Sequence, residues 1–428
     1  MRCSVRGFGR GSLLWVTFLV SVSPAHAENW PQWRGPRRDG ISQEKGIPVR
    51  WSKTENVLWR LPAPGPAGAT PVVWEDRIFF TSAAGDDLKL IAADTSGKVL
   101  WDRTIASGNK VVRDGEGNSA SPSPSTDGKH VWVFMATGDL ACFDMGGKEI
   151  WKTNLQDRYG KFEIQFGMTS TPLLDGDRLY LQCMHGKGSF VLALDALTGK
   201  EIWKHDRKSD AFAECEHSYA SPVLYREGGT EYLIAHGADY ATAHSLADGS
   251  EIWRCGGLNS KEPGKYNPTL RFVASPAVGP GLVVVPSAKN GPVLGLKPDA
   301  KGDITKSEEG HVWRRKDNTP DVPTPLIVDG LVYLCRENGI LICMDAKTGE
   351  ELYLESTHRQ RHRASPVYAD GHIYLTAADG IVSVVKAGPK FELVSKNDLG
   401  EPIAASPVIS NGRLYLRTYD ALYAIGQK

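Results

Sequence analysis

The sequence lacks most of the patterns that announce chemistry. None of its seven cysteines forms a C-x-x-C pair, so zinc-ribbon and thioredoxin-type readings have no support. No G-x-S-x-G is present to make an esterase elbow. His185, His217, His236 and His244 invite a metal reading, but no H-x-H or H-E-x-x-H spacing joins them. "GKG" at Gly186–Gly188 is too short for a phosphate-binding loop and leads into no helical pattern. An excess of one charge is missing as well. Fifty basic residues face fifty acidic ones, which gives no electrostatic reason to expect nucleic acid or an anionic membrane as partner.

Long apolar runs are scarce. The one at the start, "LLWVTFLVSV" (Leu13–Val22), is too short for a comfortable membrane span. Arg2, Arg6 and Arg10 precede it, and "AHA" (Ala25–Ala27) follows as a small-x-small cleavage pattern. We read residues 1–27 as a cleavable export signal, cut after Ala27, with an uncleaved anchor helix as the alternative. No cysteine follows the apolar core, so a lipid-anchored start is not indicated. Cleavage leaves 47 basic against 50 acidic residues and no segment for membrane insertion. The expected location is periplasmic or secreted.

Export makes disulfides chemically allowed. Cys215 and Cys255 sit in loops flanking one repeat, where a bridge is open. Cys335 shares a hairpin with Cys343, which allows a cross-strand contact. Cys142 and Cys343 occupy equivalent inward positions and read as small buried hydrophobes.

What the chain does have is repetition, beside a hydrophobic fraction of 41% that suffices for a core and 45 glycines and 26 prolines that suit turn-rich β structure. A Ser/Thr-Pro pair followed by a strand appears eight times, at Pro71, Pro124, Pro172, Pro222, Pro276, Pro325, Pro366 and Pro407. The intervals, 41 to 54 residues, match the ~40–50 residues of a four-stranded propeller blade. A second phrase, typified by "DALTGKEIW" (Asp195–Trp203), ends at Trp101, Trp151, Trp203, Trp253, Trp313 and Tyr353, and weakly at Val394. Its eighth copy, ending at Trp59, lies upstream of the first Pro marker. That offset predicts a ring in which the N-terminal strand completes the last blade and removes the open sheet edge.

Within the phrase each residue has a structural task. Asp195 accepts backbone N–H bonds in the turn, and Gly199 supplies the positive φ of a hairpin bulge. Trp203 faces away from Ile202 and buries its indole between neighbouring blades. Trp59, Trp101, Trp151, Trp203, Trp253, Trp313 and Tyr353 are therefore read as inter-blade residues, and Trp74 and Trp132 as strand core. The expected fold is an all-β, eight-bladed propeller of four-stranded antiparallel blades over residues 51–428, after an N-terminal extended segment at 28–50.

"DALTGKEIW" and its siblings resemble the PQQ-like β-propeller repeat, over nearly all of the mature chain. The opening "NWPQWRGPRRDGIS" (Asn29–Ser42) is similar to that of exported PQQ-like repeat proteins. The family includes quinoprotein alcohol dehydrogenases and the lipoprotein propeller of the outer-membrane-protein assembly machine. The resemblance implies either a quinone with calcium on the axis or a non-enzymatic, protein-binding propeller. Neither pattern is complete here. The dehydrogenases' adjacent cysteine pair and long insertions are missing, and no metal ligand or catalytic Asp maps onto a matching motif. The assembly propeller's lipid-attachment cysteine is missing too.

Function must then come from loops that do not repeat. Propeller ligands bind at the axial mouth, among the loops leading into the innermost strands and the turns between second and third strands. Those loops carry a basic sector, Arg271, Lys289, Arg336, Arg361 and Arg363 with His362, and a sector with Glu216, His217, His236 and Asp239. Such a mouth suits an anionic ligand, an acidic sugar or a carboxylate peptide end, although solvated loop charges account for the same residues. We expect an exported, monomeric, non-enzymatic binding or scaffold module with a protein or glycan ligand and no cofactor. A PQQ-dependent dehydrogenase with calcium is the alternative, and a carbohydrate-binding or carbohydrate-processing propeller the second.

Overall fold

The computed structural model describes residues 28–112 and 117–427, with Met1 and Ser4; the expected export signal lies outside the described residues. Eight β-sheets follow one another around a central axis, one for each Ser/Thr-Pro marker. Blade 3 is representative. From the axis outward its strands are Leu173–Asp175, Arg178–His185, Gly188–Asp195 and Glu201–Asp206. Seven sheets have four strands, and blade 4 gains a fifth, Gly302–Asp303, parallel to Glu251–Cys255. Blade 8 (Val408–Ser410, Arg413–Arg417, Ala421–Ile425) takes its outermost strand from Val57–Pro62, which sets Trp59 opposite Ala424.

Burial follows distance from the axis. Arg178–His185 is buried at every residue but the first, because neighbouring sheets cover both of its faces. Glu201–Asp206 buries only Trp203 fully. In blade 3 Ala193 pairs with Trp203 and Leu194 with Glu201, which makes Ile202 the extra residue of a β-bulge. The same irregularity recurs in the outermost pair of every other blade. A bulge re-aims the side chain beside it. Here it turns the indole toward the next blade and leaves Ile202 exposed.

The indole then meets a fixed partner. Its N–H donates to a turn carbonyl of the next blade: Trp59 to Thr95 at 2.9 Å, Trp101 to Met145 at 3.0 Å, Trp151 to Ala196 at 2.9 Å, Trp203 to Leu246 at 3.0 Å and Trp313 to Ala346 at 2.9 Å. Two copies depart from this rule. Trp253 packs edge-on against Tyr232, and Tyr353 edge-on against Phe391. Asp195 Oδ1 accepts from the N–H groups of Leu197 and Thr198 at 3.1 and 2.7 Å, closing the turn. Gly199 has φ 66°, and an added Cβ would stand 2.8 Å from the Trp151 ring, so it must be glycine for two separate reasons.

The axis is organised by the other marker. The N–H of each Ser/Thr before proline donates to the hydroxyl of its counterpart in the next blade. The bonds run Thr70 to Ser123 (3.0 Å), Ser123 to Thr171 (3.1 Å), Thr171 to Ser221 (2.9 Å) and Ser221 to Ser275 (2.9 Å). They continue from Ser275 to Thr324 (3.1 Å), Thr324 to Ser365 (3.0 Å), Ser365 to Ser406 (3.0 Å) and Ser406 back to Thr70 (3.2 Å). All eight residues are buried. Proline confines the residue before it to extended backbone, which holds the N–H and hydroxyl in place, and brings no N–H of its own to satisfy.

Two cysteine readings that the sequence leaves open are answered by the structure. Cys335 pairs with Leu341 while Cys343 lies opposite Tyr333, because the register offsets the two thiols along the hairpin. Cys215 and Cys255 are unbridged: all six described cysteines beyond Ser4 are free and buried, with Cys215 Sγ 3.1 Å from the Asn267 carbonyl.

Ser275→Ala removes the acceptor for the buried Ser221 N–H and is expected to cost about 1–3 kcal/mol, while Ser275→Thr retains most of it; urea unfolding compares the three. Gly199→Ala should lose at least the ~1–2 kcal/mol of a left-handed alanine, and an unchanged midpoint would contradict the wedge account.

Candidate functional site

The innermost strands start at the hydroxyl ring and run away from the face that carries the incoming loops. The opposite face carries the turns between first and second and between third and fourth strands, and residues 28–50 lie across it. Trp30 exchanges both backbone bonds with Val73 at 2.8 Å, and Pro31 O accepts from Thr126 N–H at 2.9 Å. Arg38 pairs with Asp175 at 2.6 Å, and Ser42 N–H donates to Tyr368 O at 2.8 Å. Arg34 is buried with its guanidinium on the carbonyls of Pro366 (2.8 Å), Asp39 (3.0 Å) and Pro325 (3.3 Å). Burial, partly offset by Asp39, lowers its pKa to about 10. Trp33, the next residue back, closes the axial channel from this side.

The channel is therefore a blind well. It holds a cavity of about 210 Å³ open toward the loop face. Trp33 and the hydroxyl ring form its floor; Phe166, Tyr219 and the valines Val112, Val273 and Val322 form apolar walls. Arg271 and Arg363 are the charged residues of the described lining. Arg271 is held by Glu214 at 2.7 Å and lies over the Phe166 ring, 4.7 Å from its centroid. Arg363 pairs with Glu337 at 3.4 Å. Both arginines are thus positioned before any ligand arrives.

The residues singled out in the sequence divide into three groups. Arg271 and Arg363 line the well. Lys289, Arg336 and Arg361 line a separate depression between blades 5, 6 and 7. His217, His236 and Asp239 gather around blade 4 outside the described lining of the well. His236 is fully buried edge-on to Phe272, at 4.7 Å. Asp239 is buried and accepts from Lys261 Nζ (2.7 Å) and the Tyr266 hydroxyl (2.8 Å), so it anchors the 256–270 loop. His217 is half-buried, and burial lowers its pKa against the opposing effect of Glu216.

Trp33, Phe166, Tyr219 and the hydroxyl ring had not been picked out as site residues. The ring was visible in the sequence as the hydroxyl before each repeated proline. Trp33 lay in the N-terminal phrase, with no repeat to mark its place on the axis.

The well can be tested against a quinone with its metal. Trp33 offers a planar surface on the axis, but the described lining contains no carboxylate, carboxamide or imidazole to hold a cation. Among the described residues no group of three or more His, Cys, Asp or Glu side chains is placed to bind a metal. These residues do not fit a calcium-bound quinone.

Comparison with known proteins places this architecture. A family model described as "Outer membrane protein assembly factor BamB" matches residues 104–352 and 300–388. BamB of Yersinia pestis is 24% identical over 249 residues, covering 54% of this chain and 55% of that protein. Polyvinylalcohol dehydrogenase of Sphingopyxis sp. strain 113P3 is 28% identical over 190 residues, covering 42% of this chain and 28% of the enzyme. The chain thus spans between about a quarter and just over half of the curated relatives it matches. Among solved structures, BamB from Moraxella catarrhalis superposes with a TM-score of 0.63 at 14% identity, covering 87% of this chain and 99% of that one. A europium-containing methanol dehydrogenase gives 0.54 at 13%, covering 92% and 90%. At such identities these likenesses concern the fold.

Three buried histidines make the fold acid-sensitive. Burial, then Arg207, lowers the pKa of His236 to about 3 and that of His244 to about 4. Burial, with His358 nearby, lowers His362 to about 4. The unfolded chain takes up these protons below about pH 6.5 and the folded chain does not, so stability falls as pH drops from 6.5 toward 4. The expected slope is at most about 1.4 kcal/mol per pH unit per histidine. Urea midpoints at pH 7 and pH 5 measure it, and His244→Gln should flatten the profile.

Proposed function

The chain belongs to the family of the outer membrane protein assembly factor BamB, and from that premise we propose that it is an exported, monomeric, non-enzymatic binding module of the periplasm or cell exterior. Its ligand is the carboxylate end of a protein partner, taken into the axial well. The observation that carries this reading is the lining itself: two pre-positioned guanidinium groups above apolar walls, with no acid or imidazole among the described residues to act as base or metal ligand. Arginine binds a carboxylate through two parallel charge-assisted bonds, and the valine and aromatic walls accept an apolar terminal side chain. Phe166 and the three valines give an apolar terminal side chain a surface that a glycan would leave unused, so the well suits a peptide better. Relatives named as dehydrogenases support a quinone-dependent oxidoreductase as the second reading, and Trp33 is the residue that favours it.

Titrating residues 28–428 with short peptides that end in Phe or Val should give binding to the free acid and at least ten-fold weaker binding to the amide. One charged hydrogen bond contributes about 1.5–3 kcal/mol, so Arg363→Gln should weaken the free acid about ten-fold or more. Equal affinity for acid and amide would remove the carboxylate reading. Stoichiometric quinone absorbance with dye-linked alcohol oxidation after adding PQQ and calcium would establish the second reading instead.

A further inference from the structure

We propose that the depression between blades 5, 6 and 7 is a second binding site, and that it takes an acidic polysaccharide: a run of sugars carrying carboxylates or sulfates. The inference does not depend on what the axial well binds.

The depression encloses about 900 Å³ on the loop face. Four cationic side chains line it, Lys289, Arg336, Arg359 and Arg361, against two acids, Asp321 and Glu337. Four cations against two acids leave this lining net positive in a chain whose formal charges balance, which favours an anionic ligand. The cations come from three blades: Lys289 from the second turn of blade 5, Arg336 from that of blade 6, and Arg359 and Arg361 from the loop leading into blade 7. Successive blades are set apart around the ring, so the charges are spread along the depression. That arrangement reads a repeating anion and is wasted on a single phosphate or carboxylate.

The positions are fixed by local structure. Lys289 and Asn290 both adopt left-handed backbone, with φ of 49° and 65°, a conformation that costs a non-glycine residue energy. Asp321 Oδ1 holds the Lys289 N–H at 3.1 Å, and Asn290 Oδ1 accepts from Arg336 Nη2 at 3.0 Å. Glu337 steadies Arg361 at 3.3 Å. The Lys289 ammonium itself donates to Thr269 Oγ1 at the rim, so Arg336 and Arg361 are the cations that the lining's own residues hold.

The rest of the lining decides between a sugar and a peptide. Asn338, Gln360, Thr319 and Ser356 add amides and hydroxyls, and Ile340 is the single apolar side chain in the described lining. Peptide-binding grooves rely on apolar or aromatic anchors, or on an open strand edge. Here the described lining offers one small apolar anchor, Ile340, no aromatic ring, and only Ser356, the last residue of blade 6's outermost strand, as strand edge. A sugar chain presents hydroxyls along its whole length and matches the amides between the guanidinium groups. With no aromatic ring to stack on, a neutral sugar has little to hold it, so the anionic groups must supply the affinity.

The test uses residues 28–428 in isothermal titration with four probes: hexagalacturonate, a heparin hexasaccharide, maltohexaose and hexaglutamate. The expected result is binding of one or both acidic sugars, at least ten-fold stronger than maltohexaose or hexaglutamate, weakening as salt rises from 50 to 300 mM. The uronate and sulfate arms tell which anion is preferred. Arg359→Gln and Arg336→Gln should each weaken binding five-fold or more. Asp321→Asn keeps the acceptor for Lys289, removes a negative charge, and should strengthen binding, a change that a merely structural role would not produce. Arg271→Gln in the axial well should leave the sugar affinity unchanged. Hexaglutamate binding as tightly as the sugars, maltohexaose matching them, or no binding to any probe at 50 mM salt would overturn the proposal.

Discussion

Everything in this propeller is arranged around the closed circle of bonds from Ser/Thr N–H to Ser/Thr hydroxyl. A propeller leaves its innermost strands with no sheet neighbour on the axial side, and their first N–H groups lie where water has little access. A buried N–H without a partner costs about as much as a lost hydrogen bond. The ring removes that cost with one residue per blade, each both donating and accepting, from Thr70 round to Ser406 and back. It also sets where each blade's incoming loop must end. The loops differ in sequence and length, but all end at the same circle, which is why a site can be built from parts of blades that never pair as sheets.

Farther out, a second set of contacts fixes the angle between blades. The bulge aims the indole, the indole finds a carbonyl in the next turn, and the glycine of that turn makes room. Other groups add to the device, two of them at interfaces where the indole keeps its carbonyl. Between blades 3 and 4, Arg207 is buried with Nε on Thr242 Oγ1 at 2.8 Å and Nη2 on the carbonyls of Tyr240 and Gly237 at 3.1 and 3.3 Å. Burial lowers its pKa to about 9, yet it remains a cation at neutral pH because carbonyl oxygens replace water around it. Between blades 8 and 1, Arg417 reaches the Gly65 carbonyl at 2.7 Å and packs over the Phe80 ring. After blade 4, the segment 297–310 replaces the short turn and supplies the extra parallel strand beside Trp253.

The repeats were legible because periodicity reports on packing that recurs. Two phrases, counted along the chain, determined the blade number and the closure through Trp59. The glycine and aspartate of the turn followed from turn chemistry alone. The hydroxyl ring lay in the same letters, yet its closure depends on all eight blades at once and on no local spacing. Trp33 and Arg34 were unreadable for the opposite reason: they occur once, and their place on the axis is fixed by contacts with blades 6 and 7 almost three hundred residues or more away in sequence. The loop charges were visible as a list, but whether two loops face each other depends on blade geometry. The structure sends Arg363 into the well and Arg361, two residues earlier, into the neighbouring depression.

That separation bears on how one fold serves both assembly factors and dehydrogenases. The ring, the wedges and the closing strand are indifferent to chemistry; they deliver loops to an axial mouth and stop there. Chemistry enters with the residues that line the mouth. A metal-assisted oxidation needs carboxylates to hold the cation and a base to take a proton, and both are acidic or imidazole groups. A recognition site for an anion needs the reverse, cations held so that their own counter-ions do not fill the site. Arg271 and Arg363 meet that requirement: Glu214 and Glu337 each grip a guanidinium from outside the described lining of the cavity and leave its cationic character facing in. The sign of the charge on the described lining, more than the number of blades or the presence of an axial tryptophan, separates the binding reading from the catalytic one.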